Sequence, residues 1–254
     1  MVSLEVKMAK KVNILGVMVD KVNVNEASDM IVDFVQGSSG HHTVFTPNSE
    51  IIMAAYRDTE FRDILNSSDL VTADGIGVVY ASKIVKNPIS ERAAGYDIAC
   101  MTLEKLSSLG GTLYLFGAKP GVAVAAAANI EKKYKGIRVV GTSDGYFDKE
   151  KEKKIIEDIN SKNPDLLFVC LGAPKQEKWI YAHKNELSAK VCLGIGGSVD
   201  VFAGNVKRAP EFFTSHGIEW LYRLMKQPSR FVRMLDLPRF GFKVILNGKK
   251  FPQE

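Results

Sequence analysis

The sequence predicts an α/β fold: a layered, mostly parallel sheet with helices on both faces and a small helical appendage at the C-terminus. Three observations predict it. Short apolar runs alternate along the chain with longer amphipathic ones. T-L-Y-L-F-G-A-K-P-G-V, then A-V-A-A-A-A-N-I-E-K-K-Y, then I-R-V-V-G reads as strand, Gly/Pro turn, Ala-rich helix and strand, a crossover that implies parallel pairing. The composition then breaks at Lys207, beyond which basic and large apolar residues are interleaved. Residues 1–206 are therefore expected to form the α/β domain and residues 207–254 the appendage.

The expected strands are Val12–Leu15, His42–Phe45, Leu70–Thr72, Thr112–Phe116, Ile137–Val140, Leu166–Cys170 and Val191–Leu193, each a short apolar run bounded by polar or turn residues. Helical periodicity marks Asn25–Gln36, Glu50–Leu65, Tyr96–Ser108, Val122–Lys135, Lys149–Ser161 and Gln176–Ala182. The early K-V-N-I-L-G-V-M-V-D-K-V suits a hairpin or meander at a sheet edge. Alternation of this kind builds a Rossmann-like layer structure.

The tail carries ten Lys or Arg against four acids, a net +6, whereas the whole 254-residue chain carries +5. Phe212, Phe213, Trp220, Leu221, Leu224, Phe231, Phe240 and Phe242 lie among those charges. Such a segment suits an anionic, partly greasy partner, and an anionic membrane surface fits. Pro228 and Pro238 are expected to divide it into short helices. No apolar run approaches 18 residues, and Met1 to Val12 is too short and charged for a signal peptide, so a cytosolic protein, or one attached peripherally to a membrane from the cytoplasmic side, is expected. The apolar tail surface also allows self-association into a homo-oligomer. Cys100, Cys170 and Cys192 lie in apolar stretches and read as buried small hydrophobes. Four His without metal-ligand spacing argue against a structural zinc site.

In open parallel sheets ligands gather beyond the carboxyl ends of the strands. Four expected strands end in loops suited to that: T-P-N-S-E (46–50), A-D-G-I-G (73–77), L-G-A-P-K-Q-E (171–177) and G-I-G-G-S-V-D (194–200). Asp74 follows an apolar strand directly. Partial burial there raises a carboxylate's pKa, as a general base requires, while helix capping is the competing explanation. Thr46 and Asn48 flank Pro47, where turn and cap chemistry competes with ligand contact. Gln176 opens a helix without carrying the charge that would complement its dipole. The glycines at 194–197 and 117–121 can offer backbone N–H groups to phosphate, yet neither segment matches a dinucleotide fingerprint or Walker loop. No D-x-D occurs, so a diphosphate would be met by arginines and helix N-termini rather than a divalent ion, and no metal or cofactor is expected. Arg92, Arg223, Arg230 and Arg233 are available.

These loops, with R-A-A-G-Y-D (92–97), L-F-G-A-K-P-G (115–121), G-G-S-V-D-V-F-A-G-N-V-K-R-A-P (196–210), G-I-E-W-L-Y-R-L (217–224) and P-S-R-F-V-R (228–233), closely resemble the WecG/TagA/CpsF glycosyltransferase family. The match runs in order from Thr46 to Arg233 and is nearest to the TagA-type enzymes of wall teichoic acid linkage synthesis. The resemblance implies inverting transfer of N-acetylmannosamine from a UDP-N-acetylmannosamine donor to N-acetylglucosamine-diphospho-undecaprenol in a β-1,4 bond. By it, Asp74 becomes the catalytic base, and Thr46, Asn48, Arg92 and Gln176 become substrate-site residues. Arg223, Arg230 and Arg233 become the arginines of the appendage near the diphosphates. Val199 stands where an aromatic is common and Ser49 follows the Asn, departures that bear on donor choice. A related transferase with N-acetylmannosaminuronic acid or a hexose as donor would share this framework. A nucleic-acid-binding protein with a basic arm is the alternative from another class, disfavoured by the tail's apolar content and by the lack of RNP, KH or helix-turn-helix signatures, so no nucleic acid partner is expected. A nicotinamide oxidoreductase is disfavoured by the missing fingerprint.

Overall fold

The computed structural model describes residues 9–37, 40–210, 212–213, 219–226 and 234–253. The described chain opens with a hairpin, β1 (Lys11–Ile14) and β2 (Val17–Asp20), paired antiparallel as a separate two-stranded sheet. The main sheet holds β3 (His42–Phe45), β4 (Leu70–Val71), β5 (Thr112–Gly117), β6 (Arg138–Ser143), β7 (Leu166–Cys170) and β8 (Val191–Gly194). All its pairs are parallel, in the order β4-β3-β8-β7-β5-β6.

Alternate residues of each strand serve opposite faces, as the two-residue period requires. Leu113, Leu115 and Phe168 point into a core covered by α1 (Val24–Gln36), α5 (Gly95–Ser107), α6 (Val122–Lys133) and α9 (Ser198–Phe202). Tyr114, Phe116 and Val169 enter the opposite core, covered by α2 (Ser49–Arg57), α3 (Thr59–Asn66), α4 (Ile76–Ile84), α7 (Lys149–Lys162), α8 (Lys175–His183) and the hairpin. The tail contributes α10 (Glu219–Lys226) and α11 (Asp236–Asn247), and α11 adds Phe240 and Val244 to that second core. The α/β class and the layered parallel sheet are as the sequence predicts.

One expectation is corrected. Glu50–Leu65 is not one helix: the chain is extended at Asp58 (φ −120, ψ 103), which ends α2 and caps α3 by accepting from Phe61 N–H at 3.0 Å. An aspartate that satisfies an N-terminal amide makes a break as favourable as continuation. Pro238 falls where the sequence places a division: Met234 is helical, Leu235 turns, and α11 begins at Asp236. The proline lies in the first turn of α11, where its missing N–H has no intrahelical partner to lose. Pro228 lies outside the described residues. Helix α4 was not expected at all, because I-G-V-V-Y-A has the β-branched composition of a strand.

The hairpin lies against β4, an edge strand of the sheet. Asp20 Oδ2 accepts the Val71 backbone N–H at 2.8 Å, and Lys11 Nζ lies 3.5 Å from the same oxygen. An otherwise open sheet edge is thereby satisfied by a side chain, with Asp20 only 2% exposed. Asp20→Ala is expected to lower unfolding free energy by about 1–3 kcal/mol, since Val71 N–H would stay buried without an acceptor. Urea unfolding measures this, and a loss under about 0.5 kcal/mol would show that the edge is held by apolar contact alone.

Candidate active site

Strands β3 and β8 are neighbours, but their connections leave in opposite directions. The chain after β3 enters α2 on one face, and the chain after β8 enters α9 on the other. A crevice opens where two adjacent parallel strands part in this way. Here it is a cleft of about 540 Å³ at the carboxyl ends of the strands.

Thr46, Asn48, Asp74, Arg92 and Gln176 all line this cleft. Thr46, 9% exposed, directly follows β3 and donates its hydroxyl to Gly194 O at 3.4 Å. Asn48 caps α2, its Oδ1 accepting from Ile51 N–H at 3.0 Å. Capping and cleft lining thus coexist in Asn48: the carbonyl end holds the helix while the residue faces the cavity.

Asp74 is fixed between two loops. Its backbone N–H donates to Pro47 O at 3.2 Å, and its Oδ2 accepts from Gly95 N–H, in the first turn of α5, at 3.3 Å. The preceding residues are tied to the α5 loop by Thr72 Oγ1 to Ala93 O (3.1 Å) and by Ala93 N–H to Ala73 O (3.0 Å). Gly75 follows at φ +118, a conformation that a side chain would strain, and it starts α4. Glycine is also required at 95, where a Cβ would lie 2.7 Å from Thr46 Oγ1. The carboxylate is therefore half-buried at the rim of the sheet, beside the N-terminus of a helix.

The cations come from two directions. Arg92 Nη2 lies 3.4 Å from Asp97 Oδ2, and Arg208 Nη2 lies 2.5 Å from Asp97 Oδ1, so one carboxylate holds two guanidiniums. Arg208 also lies over the Tyr96 ring, 5.3 Å from its centroid. Burial, followed by the neighbouring Cys100, pushes the Tyr96 hydroxyl up to about 12, so this phenol stays neutral at ordinary pH. Sequence reasoning missed Asp97, Tyr96 and Arg208 as a unit. Both segments carry the family resemblance, but 111 residues separate the ion pair in the chain.

Gln176 and Glu177 are buried at the start of α8, 4% and 2% exposed. Burial raises the Glu177 carboxyl to about 7, against a smaller lowering by its bond from Gln176. Its folded value lies above the ordinary carboxylate range, so ionisation destabilises the fold increasingly as pH rises through 7. From the tail, Tyr222 on α10 and Asp236 on α11 reach the cleft. Asp236 is paired with both Nη atoms of Arg57, which holds its carboxyl below the usual range. Arg223 is on α10, but its side chain lies outside the described residues, as do Arg230 and Arg233 entirely. Among the described residues no group of three or more His, Cys, Asp or Glu is placed to hold a metal ion.

A second cavity of about 620 Å³ adjoins the first along Asp200 and Val206. Its walls include Ala118, Lys119 and Val122 of the turn into α6, and Gly145 and Tyr146 after β6. The two cavities together offer a carboxylate, bound guanidiniums, backbone amides and an exposed aromatic ring, the groups needed to handle a phosphorylated, hydroxyl-rich ligand.

Comparison with known proteins agrees with that chemistry. The model of the glycosyl transferase WecG/TagA/CpsF family matches residues 12–254. A Bacillus subtilis (strain 168) protein named N-acetylglucosaminyldiphosphoundecaprenol N-acetyl-beta-D-mannosaminyltransferase is 38% identical over 206 residues, covering 81% of this chain and 80% of that protein. A protein of the same name from Staphylococcus aureus (strain MRSA252) is 34% identical over 241 residues, 94% of each chain. The chain belongs to the glycosyl transferase WecG/TagA/CpsF family, and it is a glycosyltransferase.

Proposed function

We propose that the chain transfers N-acetylmannosamine from UDP-N-acetylmannosamine to the 4-hydroxyl of N-acetylglucosamine-diphospho-undecaprenol, with inversion to a β-1,4 bond. The observation that carries this reading is the meeting of Thr46, Asn48, Asp74, Arg92 and Gln176 in one cleft at the switch point of the sheet, in a chain whose relatives are named for this transfer.

The chemistry follows from the groups present. Inversion is a single displacement in which the acceptor hydroxyl attacks C1 while UDP leaves from the opposite side. Asp74 accepts the hydroxyl proton as the bond forms, a contribution of about 10²–10⁴ in rate. Thr46 and Asn48, on the adjoining loop, hold the sugars by their hydroxyl and amide. Arg92 and Arg208 meet the negative charge that grows on the leaving diphosphate, and Arg223, Arg230 and Arg233 complete that role from the tail. Losing one such contact typically costs about 3–4 kcal/mol of barrier. The adjoining cavity suits the donor nucleotide: Tyr146 is exposed for stacking, and Lys119 and the turn into α6 provide cationic and N–H groups. No divalent ion takes part in this scheme.

The acceptor named for the relatives carries a long polyprenyl chain, so the enzyme must work at a bilayer. No helix among the described residues is long and apolar enough to cross one. The outer side of α11 exposes Phe242, Ile245 and Leu246 beside Lys243, and α10 exposes Trp220 and Met225. This supports residues 207–254 as an appendage that attaches peripherally to the cytoplasmic leaflet, each well-placed cation contributing about 1 kcal/mol near anionic lipid. The same apolar face could serve a homo-oligomer away from lipid.

Two experiments test this reading. Asp74→Asn is expected to abolish transfer while leaving UDP-sugar binding, measured by calorimetry, within about threefold; unchanged turnover would remove Asp74 as the base. In the tail, Arg230→Ala is expected to lower turnover even with a soluble, short-chain acceptor. Neutralising Lys243, Lys249 and Lys250 is expected mainly to weaken sedimentation with anionic vesicles. Should both changes affect only vesicle binding, the tail is an anchor without a catalytic part.

A further inference from the structure

We propose that Glu177 is a positioning residue: through the amide of Gln176 it fixes the two glycine turns that form the β7 and β8 wall of the cleft. One amide joins these turns. Gln176 Oε1 accepts from Gly172 N–H at 3.2 Å, after β7, and from Gly196 N–H at 3.0 Å, after β8. Its Nε2 donates to Glu177 Oε1 at 2.8 Å. A primary amide has one accepting and one donating end, and only the accepting end satisfies two backbone N–H groups. Turned over, it would direct its NH2 at both backbone donors and lose those two hydrogen bonds, and the third as well when Glu177 is ionised and can only accept. The neighbouring carboxylate holds the NH2 end and so reinforces the orientation that the two backbone N–H groups require.

Packing alone does not explain Glu177. It is 2% exposed, and its second oxygen, Oε2, is buried without a hydrogen-bond partner among the described residues. Such a group destabilises the fold relative to an apolar side chain of similar size. What it supplies is orientation. The amide is also pressed against the end of β8, where a Cβ at Gly194 would lie 2.9 Å from Gln176 Nε2. Gly194, Gly196 and Gly172 all line the cleft, as does Gln176 itself, whereas Glu177 is not among its lining residues. Glu177 thus acts on the cleft wall from behind it.

The inference rests on the proposed transfer for its kinetic arm, and a second arm is independent of activity. Glu177→Leu and Glu177→Gln are compared in the full-length chain for melting temperature, for kcat and KM with UDP-N-acetylmannosamine, and for the amide resonances of Gly172 and Gly196. Glu177→Leu is expected to melt at the parental temperature or above at pH 8, yet to shift both resonances and to lower kcat at least tenfold with KM changed less. Glu177→Gln keeps a carbonyl for Gln176 Nε2 and is expected to stay within about threefold of the parent, with resonances little moved. If the Leu variant does not fold, Glu177→Met, closer in shape, carries the same test. Resonances or kcat unchanged in the apolar variant would overturn the proposal. So would turnover lost in step with melting temperature in both variants, which is what a packing role predicts. If the parent itself transferred no sugar, the functional reading would fail while the resonances still tested Glu177.

Discussion

The site depends on the parting of β3 and β8. Both are short, fully parallel to one another, and buried on two faces, so neither can bend to close the gap at their carboxyl ends. Their continuations are drawn to opposite cores, α2 by Ile52 and Met53 on one side, α9 by Val199 and Phe202 on the other. The crevice follows from burying apolar side chains on both faces of one sheet. Four strands supply polar groups to its rim: Thr46 and Asn48 follow β3, Gly194 and Gly196 lie at the end of β8, Asp74 follows the flanking β4, and Gln176 follows the flanking β7.

What converts a crevice into a site is the way its loops are tied together rather than any single residue. Asp74 is fixed between the β3 loop and the α5 loop, and Gln176 joins the β7 and β8 loops. Asp97 joins Arg92 to Arg208, at the start of the tail. Each tie is a polar contact across a short distance, and they range from local pairs, Gly172 with Gln176 and Arg92 with Asp97, to Arg208 with Asp97, 111 residues apart. Preorganisation of this kind places charge where it is needed before a ligand arrives, which is where electrostatic catalysis gets its strength. Opposite charges also stand on different sides of the cleft, the Asp74 carboxylate after β4 and the Arg92 and Arg208 guanidiniums near α5, a separation that suits the proposed proton and phosphate roles.

The sheet was legible because its strands obey one simple rule. His42–Phe45 and Leu166–Cys170 occur with the boundaries expected of them, since a short apolar run bounded by polar residues has few other places to go. The cleft loops were legible for a related reason: Gly, Pro, Asn and Asp directly after such runs have to form the rim. Contacts between rims were not legible, because nothing local in Asp97 announces Arg208. Helix α4 was missed because its burial, not its composition, determines its shape, and the break at Asp58 because an aspartate reads equally well as a polar face or a cap. The tail's chemistry was legible as charge and apolar content. The contribution of Phe240 and Val244 to the main core was not.

The account stands most directly on which sugar is moved and in which geometry. The decisive measurement is incubation of the enzyme with a panel of UDP-sugars and a short-chain polyprenyl-diphospho-N-acetylglucosamine, with the product's sugar and anomeric configuration determined by mass spectrometry and NMR. The account predicts transfer from UDP-N-acetylmannosamine above all others, and a β-1,4-linked product. An α-linked product, or preferential transfer of a uronic acid or a plain hexose, would contradict it.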